Sequence, residues 1–148
     1  MAPMTFFGCC CCYEALDFEN IVLCCISDGE TCCCTNKACL AAGEEPLGVG
    51  MVEGDKGECC VLALFCCTYG CKVPSTCCNG WGRCLCFQTA QSCPCGEDKY
   101  VKNCVCNAYG VGCAPQCGCC SAPQSEVPTT LKKGGAAAGA PAIVEIAR

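Results

Sequence analysis

The chain has 148 residues, 27 of them cysteine, with 9 Lys and Arg against 14 Asp and Glu, a net charge of −5 and no histidine. The missing histidine excludes Ser-His-Asp and Cys-His catalysis within one chain, Cys2His2 zinc fingers and CxxCH haem attachment. An acidic body with scattered lysines has no basic stripe for nucleic acid, so no nucleic-acid partner is expected.

The length is that of one small domain. Without cysteine its large apolar residues are sparse, and so thin a core needs staples. Three regions follow: a lead-in at 1–20 with a cysteine run, a cysteine-rich body at 21–120, and a Pro/Ala/Gly-rich tail at 121–148.

The lead-in holds FFGCCCCYE, Phe6 to Glu14. Neighbouring residues of an extended chain point to opposite faces. Cys9 to Cys12 therefore cannot all reach one partner strand or one metal. They are expected to tie the lead-in to two sides of the body and leave Phe6 and Phe7 to pack or dock. MAPMTFF has no basic n-region, and no A-x-A site precedes the cysteines, so no secretory leader is recognisable.

IVLCCISDGETCCCT, Ile21 to Thr35, carries Asp28-Gly29 between two β-compatible runs, a two-residue hairpin signal. That loop sets Cys25 opposite Cys32 and Cys24 opposite Cys33, and predicts that one of these pairs is bonded. The connection from Ala38 to Glu58 is Gly-rich. Its Glu44 and Glu45 beside Pro46 read as solvated loop, because adjacent carboxylates in a loop have no fixed separation.

CCVLALFCCTYGCKVP, Cys59 to Pro74, is the most apolar stretch, with Val61, Leu62, Leu64 and Phe65 as expected core in a strand or short helix. The apolar run Cys59 to Cys67 has nine residues, short of the roughly 20 that span a bilayer as a helix. No transmembrane span is expected, although peripheral membrane contact stays open. Asn79-Gly80 reads as a turn, and Trp81 to Phe87 shows strand alternation. The pairs Cys84/Cys86, Cys93/Cys95, Cys104/Cys106 and Cys117/Cys119 then recur as CxC, each expected to staple neighbouring segments. The tail ends in AIVEIAR, whose Ile143, Val144 and Ile146 are docking candidates by strand addition.

Three chemistries compete for the cysteines. Disulfides lead: 27 is odd, so at most 13 form and one thiol remains. A thiolate metal cluster of metallothionein kind is the first alternative, since CC and CxC are its spacings. Its anionic clusters fit poorly with an acidic, aromatic-bearing body, so no metal ligands or cofactors are assigned. S-palmitoylation of Cys9 to Cys12 beside Phe6 and Phe7, at a membrane surface, is the second. A redox site at Cys117 to Cys120 lacks the βαβ context that lowers a thiol pKa.

CLAAGEEPLGVGMV (39–52), CCVLALFCCTYGCKVP (59–74) and GRCLCFQTAQSCP (82–94) resemble a group of small cysteine-rich proteins of dinoflagellate-type algae. The likeness covers about residues 20–120 and implies an algal source and a cysteine-stapled fold. It supplies no activity and no site residues. By analogy with other small algal chains, it suggests an accessory subunit of a large assembly, such as a photosystem–antenna supercomplex. Abundant cysteine suits an oxidising compartment, and the analogy a plastid-associated one, with no transit peptide visible to support it. The expected fold is small, disulfide-rich and mainly β or irregular, with short strands and turns laced by cysteine and an extended C-terminal arm. The expected function is non-enzymatic: a structural or interaction protein with protein partners in a larger complex.

Overall fold

The computed structural model describes residues 2–42 and 46–131. Among them there is no helix, and twelve strands form one antiparallel sheet. In chain order these are β1 (Met4–Cys10), β2 (Cys12–Leu16), β3 (Val22–Thr31), β4 (Cys34–Cys39), β5 (Gly48–Val52), β6 (Cys60–Phe65), β7 (Cys67–Cys71), β8 (Cys78–Leu85), β9 (Phe87–Cys93), β10 (Val105–Ala108), β11 (Val111–Ala114) and β12 (Gly118–Cys119). In space they run β12-β11-β10-β1-β2-β9-β8-β3-β4-β7-β6-β5. The fold is thus the small, mainly β, cysteine-rich class expected from sequence.

The sheet is built from tight hairpins. Register leaves two residues in each of five loops: Cys10-Cys11, Cys32-Cys33, Phe65-Cys66, Leu85-Cys86 and Tyr109-Gly110. The first residue of every one has positive φ, between 52° and 60°. That conformation at the first loop position lets a two-residue turn follow the right-handed twist of its strands. Here it is taken by Cys, Phe, Leu and Tyr in place of glycine.

These loops overturn the hairpin expected around Asp28-Gly29. That dipeptide lies inside β3, and the turn falls at Cys32-Cys33. Cys24 and Cys25 therefore do not face Cys33 and Cys32. Asn79-Gly80 is likewise inside β8, not a turn. The two misread dipeptides meet each other: Gly29 is opposite Gly80, Asp28 opposite Trp81, and Glu30 opposite Asn79. A Cβ on Gly80 would lie 2.8 Å from the Gly29 Cα, so the glycines serve close strand approach rather than a bend.

One face of the sheet is covered and the other is open. Period-two alternation points Tyr13, Ala15, Ile26, Trp81 and Ala90 to the covered side, where they form the core with Val101, Val105, Val127 and Leu131. Among the described residues, no second sheet covers them. Irregular segments do, chiefly residues 94–103 and 121–131. The Tyr13 hydroxyl lies 2.9 Å from Ser125 Oγ, which in turn donates to the Tyr100 carbonyl at 2.6 Å. Arg83 donates through Nη2 to the Val127 carbonyl at 2.9 Å. The start of the region read as a tail, 121–131, is therefore fastened beneath the sheet.

The lead-in also takes another place. Residues 4–16 supply β1 and β2, set between β10 and β9 within the sheet. Of the four residues expected as core in the 59–74 stretch, only Val61 is buried. Ala63 is buried as well, but Leu62, Leu64 and Phe65 are 43%, 52% and 63% exposed. They fall on the open face and at the hairpin tip, because β6 and β7 alternate as a half-covered hairpin.

Candidate functional site

The strands' charges point inward. Strands β3 to β9 carry Asp28, Glu30, Lys37 and Arg83 as their only charged residues, and all four are buried. Loops folded beneath the sheet supply partners: Lys37 pairs with Asp55 at 2.7 Å, Asp28 with Lys56 at 2.5 Å, and Glu30 with Lys72 at 2.6 Å. Arg83 pairs with Asp17 at 2.8 Å. Burial pushes the Glu30 and Asp17 carboxyls up, but hydrogen bonds outweigh it and leave both below the ordinary carboxylate range. Glu30 accepts from Lys72 and Thr76; Asp17 accepts from Arg83, Asn20 and the Glu19 amide.

The open face of the same strands is uncharged. At the β5–β7 edge, register sets Met51 beside Leu62 and Leu62 beside Tyr69, with Val49 beside Leu64 in the next row. Val49, Met51 and Tyr69 are 77%, 65% and 57% exposed. Next to this apolar ridge the face drops to small residues. Ser27 and Gly29 of β3 and Gly80 and Gly82 of β8 floor a trough of about 410 Å³, walled by Asn36 on one side and by Thr89, Gln91, Glu14 and Phe7 on the other. Glu14, on β2, brings the first charge met on this face beyond β9.

Cysteines gather at the two ends of the strands. At one end a row of cysteines, interrupted by Thr31, runs Cys60, Cys71, Cys34, Thr31, Cys78, Cys93 across β6, β7, β4, β3, β8 and β9, each residue directly opposite the next. Cys11 continues it beside Cys93. Farther along, Cys9 is opposite both Cys12 and Cys106, and the Cys113 thiol donates to the Cys106 carbonyl at 3.8 Å. At the other end lie the Phe65-Cys66 and Leu85-Cys86 turns, and Cys25 is bonded to Cys84 with Cα atoms 4.2 Å apart. The bond joins β3 to β8, residues 59 apart in sequence.

Each sequence-predicted cysteine now has a place. Cys25 and Cys84 are joined to each other. Cys32 and Cys33 occupy the β3–β4 turn, and Cys24 sits exposed at an irregularity between β3 and β8. Cys86 is in the β8–β9 turn, so the two cysteines of CLC do not share a face as an extended chain would have them. Cys93 faces Cys78, and Cys95 lies near Cys10 and Cys11. Cys104 is exposed ahead of β10, and Cys106 faces Cys9. Cys117 donates to the Cys113 carbonyl at 3.5 Å, and Cys119 faces Val111. Of the docking candidates, Phe6 stacks edge-on against Tyr109 and Phe7 stands 47% exposed at the trough wall. Ile143, Val144 and Ile146, like Glu44 and Glu45, lie outside the described residues.

Every thiol with a displaced pKa is displaced upward. Burial raises Cys93 first, with Cys11, Cys77 and Cys78 adding to it. For Cys34 the hydrogen bond to Cys33 is the largest cause, and Cys71 adds to it; for Cys113 it is the bond to Cys106. Thiols held protonated by neighbouring thiols are poor nucleophiles, and their proximity is that of bridging partners. Among the described residues, no group of three Cys, Asp or Glu side chains is arranged to hold a metal ion. No helix among them is long and apolar enough to cross a membrane.

Sequence reasoning missed the open face. Its signal was the i, i+2 spacing of Asp28 with Glu30, which puts both charges of β3 on one side and leaves Ser27 and Gly29 on the other. No family model, curated protein or solved structure matches this chain.

Proposed function

We propose that this chain is a non-enzymatic interaction protein, stapled by disulfides and acting as an accessory or linker subunit of a larger assembly. The observation that carries the reading is the inversion of the sheet. Its charges are buried and paired, while its open face is uncharged and apolar at one edge. Large contiguous apolar patches on a soluble surface mark interaction sites. The rows of neighbouring thiols suit a sheet held flat by bridges between strands, since cross-strand spacing lies within disulfide reach. A rigid face loses little entropy on docking.

The test is native sedimentation of the chain from the cells that make it. The reading expects it in a fraction heavier than the chain alone, and expects Tyr69→Lys to release it to a lighter one without loss of β-sheet circular dichroism. Migration of the unaltered chain as a free monomer contradicts the reading.

A further inference from the structure

We infer that the open face is the seat of a second copy of this chain, packed sheet on sheet about a two-fold axis. The inference goes beyond the proposed function, which it takes as given only in treating the chain as a binding protein.

Across this face the strands run β5-β6-β7-β4-β3-β8. The apolar ridge occupies the first three strands and the trough of small residues lies on the last two. Set a two-fold axis parallel to the strands, above the boundary of β7 and β4. Rotation then lays β6 of one copy over β3 of the other, and β5 over β8. Rows along the strands keep their level under this operation. Met51, Leu62, Gly29 and Gly80 lie on one row, and Val49, Leu64, Ser27 and Gly82 on the next. Leu62 therefore comes over Gly29, Met51 over Gly80, Leu64 over Ser27 and Val49 over Gly82. A large side chain meets a small one each time, on both halves of the interface. That is the self-complementarity an isologous contact requires, in the aligned geometry of packed sheets about 10 Å apart.

Charge agrees with this occupant. A chain of net charge −5 repels its own kind, but here the strand charges are paired on the far side of the sheet. The contact brings no like charges together across β5 to β9. An anionic lipid surface or a strongly charged partner would find no charged residue, acidic or basic, on these strands' open side.

The test is sedimentation velocity of the purified full chain over a wide concentration range. A dimer is expected, with loss to monomer on Leu64→Lys and, separately, on Ser27→Glu. Circular dichroism checks that each variant folds, and Tyr69→Lys serves as a second ridge variant. Because Leu64 lies over Ser27, mixing the L64K and S27E chains is expected to restore a dimer: lysine meets glutamate at one site and the native pair meets at the other. A control at Val111→Lys, exposed on β11, is expected to leave the dimer intact. A wild-type chain that stays monomeric overturns the inference, as does a dimer untouched by both ridge variants. A monomer that binds neutral vesicles or a different protein through Leu62 and Leu64 overturns it too. If the chain is monomeric yet still enters a larger assembly, the second copy is wrong and the proposed function survives.

Discussion

Arg83 directs its three guanidinium nitrogens to different parts of the chain. Nη1 reaches Asp17 and the Asn20 carbonyl, Nη2 reaches Gln88 and the Val127 carbonyl, and Nε reaches the Val127 and Pro128 carbonyls. A single side chain at 4% exposure thus fastens the β2–β3 connection and the covering segment to the sheet. Removing one partner of such a pair leaves a buried charge uncompensated. Asp17→Ala is expected to cost about 3–5 kcal/mol in denaturant unfolding. The carboxyls of Asp17 and Glu30 titrate lower in the folded chain than in the unfolded one. Their contribution is present above the unfolded values, roughly 3.9 and 4.3. It fades as pH falls below about 4 toward the folded values. Melting temperature should therefore drop on acidification through that window, and drop less in Asp17→Asn. Gly80 has the opposite kind of importance, since a Cβ there runs into the Gly29 backbone. Gly80→Ala is expected to cost about 1–3 kcal/mol, as overpacking does.

At the scale of elements, the loop chemistry separates what was readable from what was not. The strand class was legible: β-prone runs alternate, as in Trp81 and Arg83, and no long helical period competes. Register was not. The strongest turn dipeptides, Asp28-Gly29 and Asn79-Gly80, lie in mid-strand, where glycine allows close approach and Asp28 and Asn79 find partners in Lys56 and Ser92. Of the real turns, only Tyr109-Gly110 holds a glycine; the others are Cys-Cys, Phe-Cys and Leu-Cys, which no propensity rule selects. Lys56 comes from a distant loop and Ser92 from β9, and the sequence around Asp28 and Asn79 carries no sign of either. The open ridge was misread for the same reason: Leu62 and Leu64 are apolar enough for a core, and only the register shows they alternate away from it. The positive φ of 56° at Leu85 makes a check of the loops. Leu85 is 51% exposed, so little packing is lost on substitution. Leu85→Gly is expected to be neutral or to stabilise by up to about 1 kcal/mol, because a left-handed residue with a Cβ bears a penalty of that order. Leu85→Val, β-branched, is expected to destabilise by a similar amount. Urea midpoints of the two variants report both signs.

At the scale of the molecule, the sheet is long, single and covered on one side by irregular chain. Hydrophobic burial alone holds such a sheet weakly, and the cysteines sit where strands need clamping, at their two ends. The cysteine count pointed to cross-links, of which Cys25–Cys84 is present, but the two belts of cysteines became visible only once the strands were aligned. Cys25–Cys84 clamps β3 to β8, and the row from Cys60 to Cys93 sets cysteines opposite one another across three further pairs of strands, at Cys60/Cys71, Cys71/Cys34 and Cys78/Cys93. Each bridge can add a few kcal/mol by restricting the unfolded chain. The most direct measurement is the disulfide map of the purified, unreduced chain, from intact mass with and without reductant and then from peptide masses. The account expects a loss of about two mass units per bridge, with more than one bridge present and each bridge confined to one belt, such as Cys25–Cys84 at one end and Cys78–Cys93 or Cys60–Cys71 at the other. A chain that gains only protons at one pair on reduction contradicts it. So do bridges running from one belt to the other, or native mass increments of metal ions or acyl chains in place of bridges.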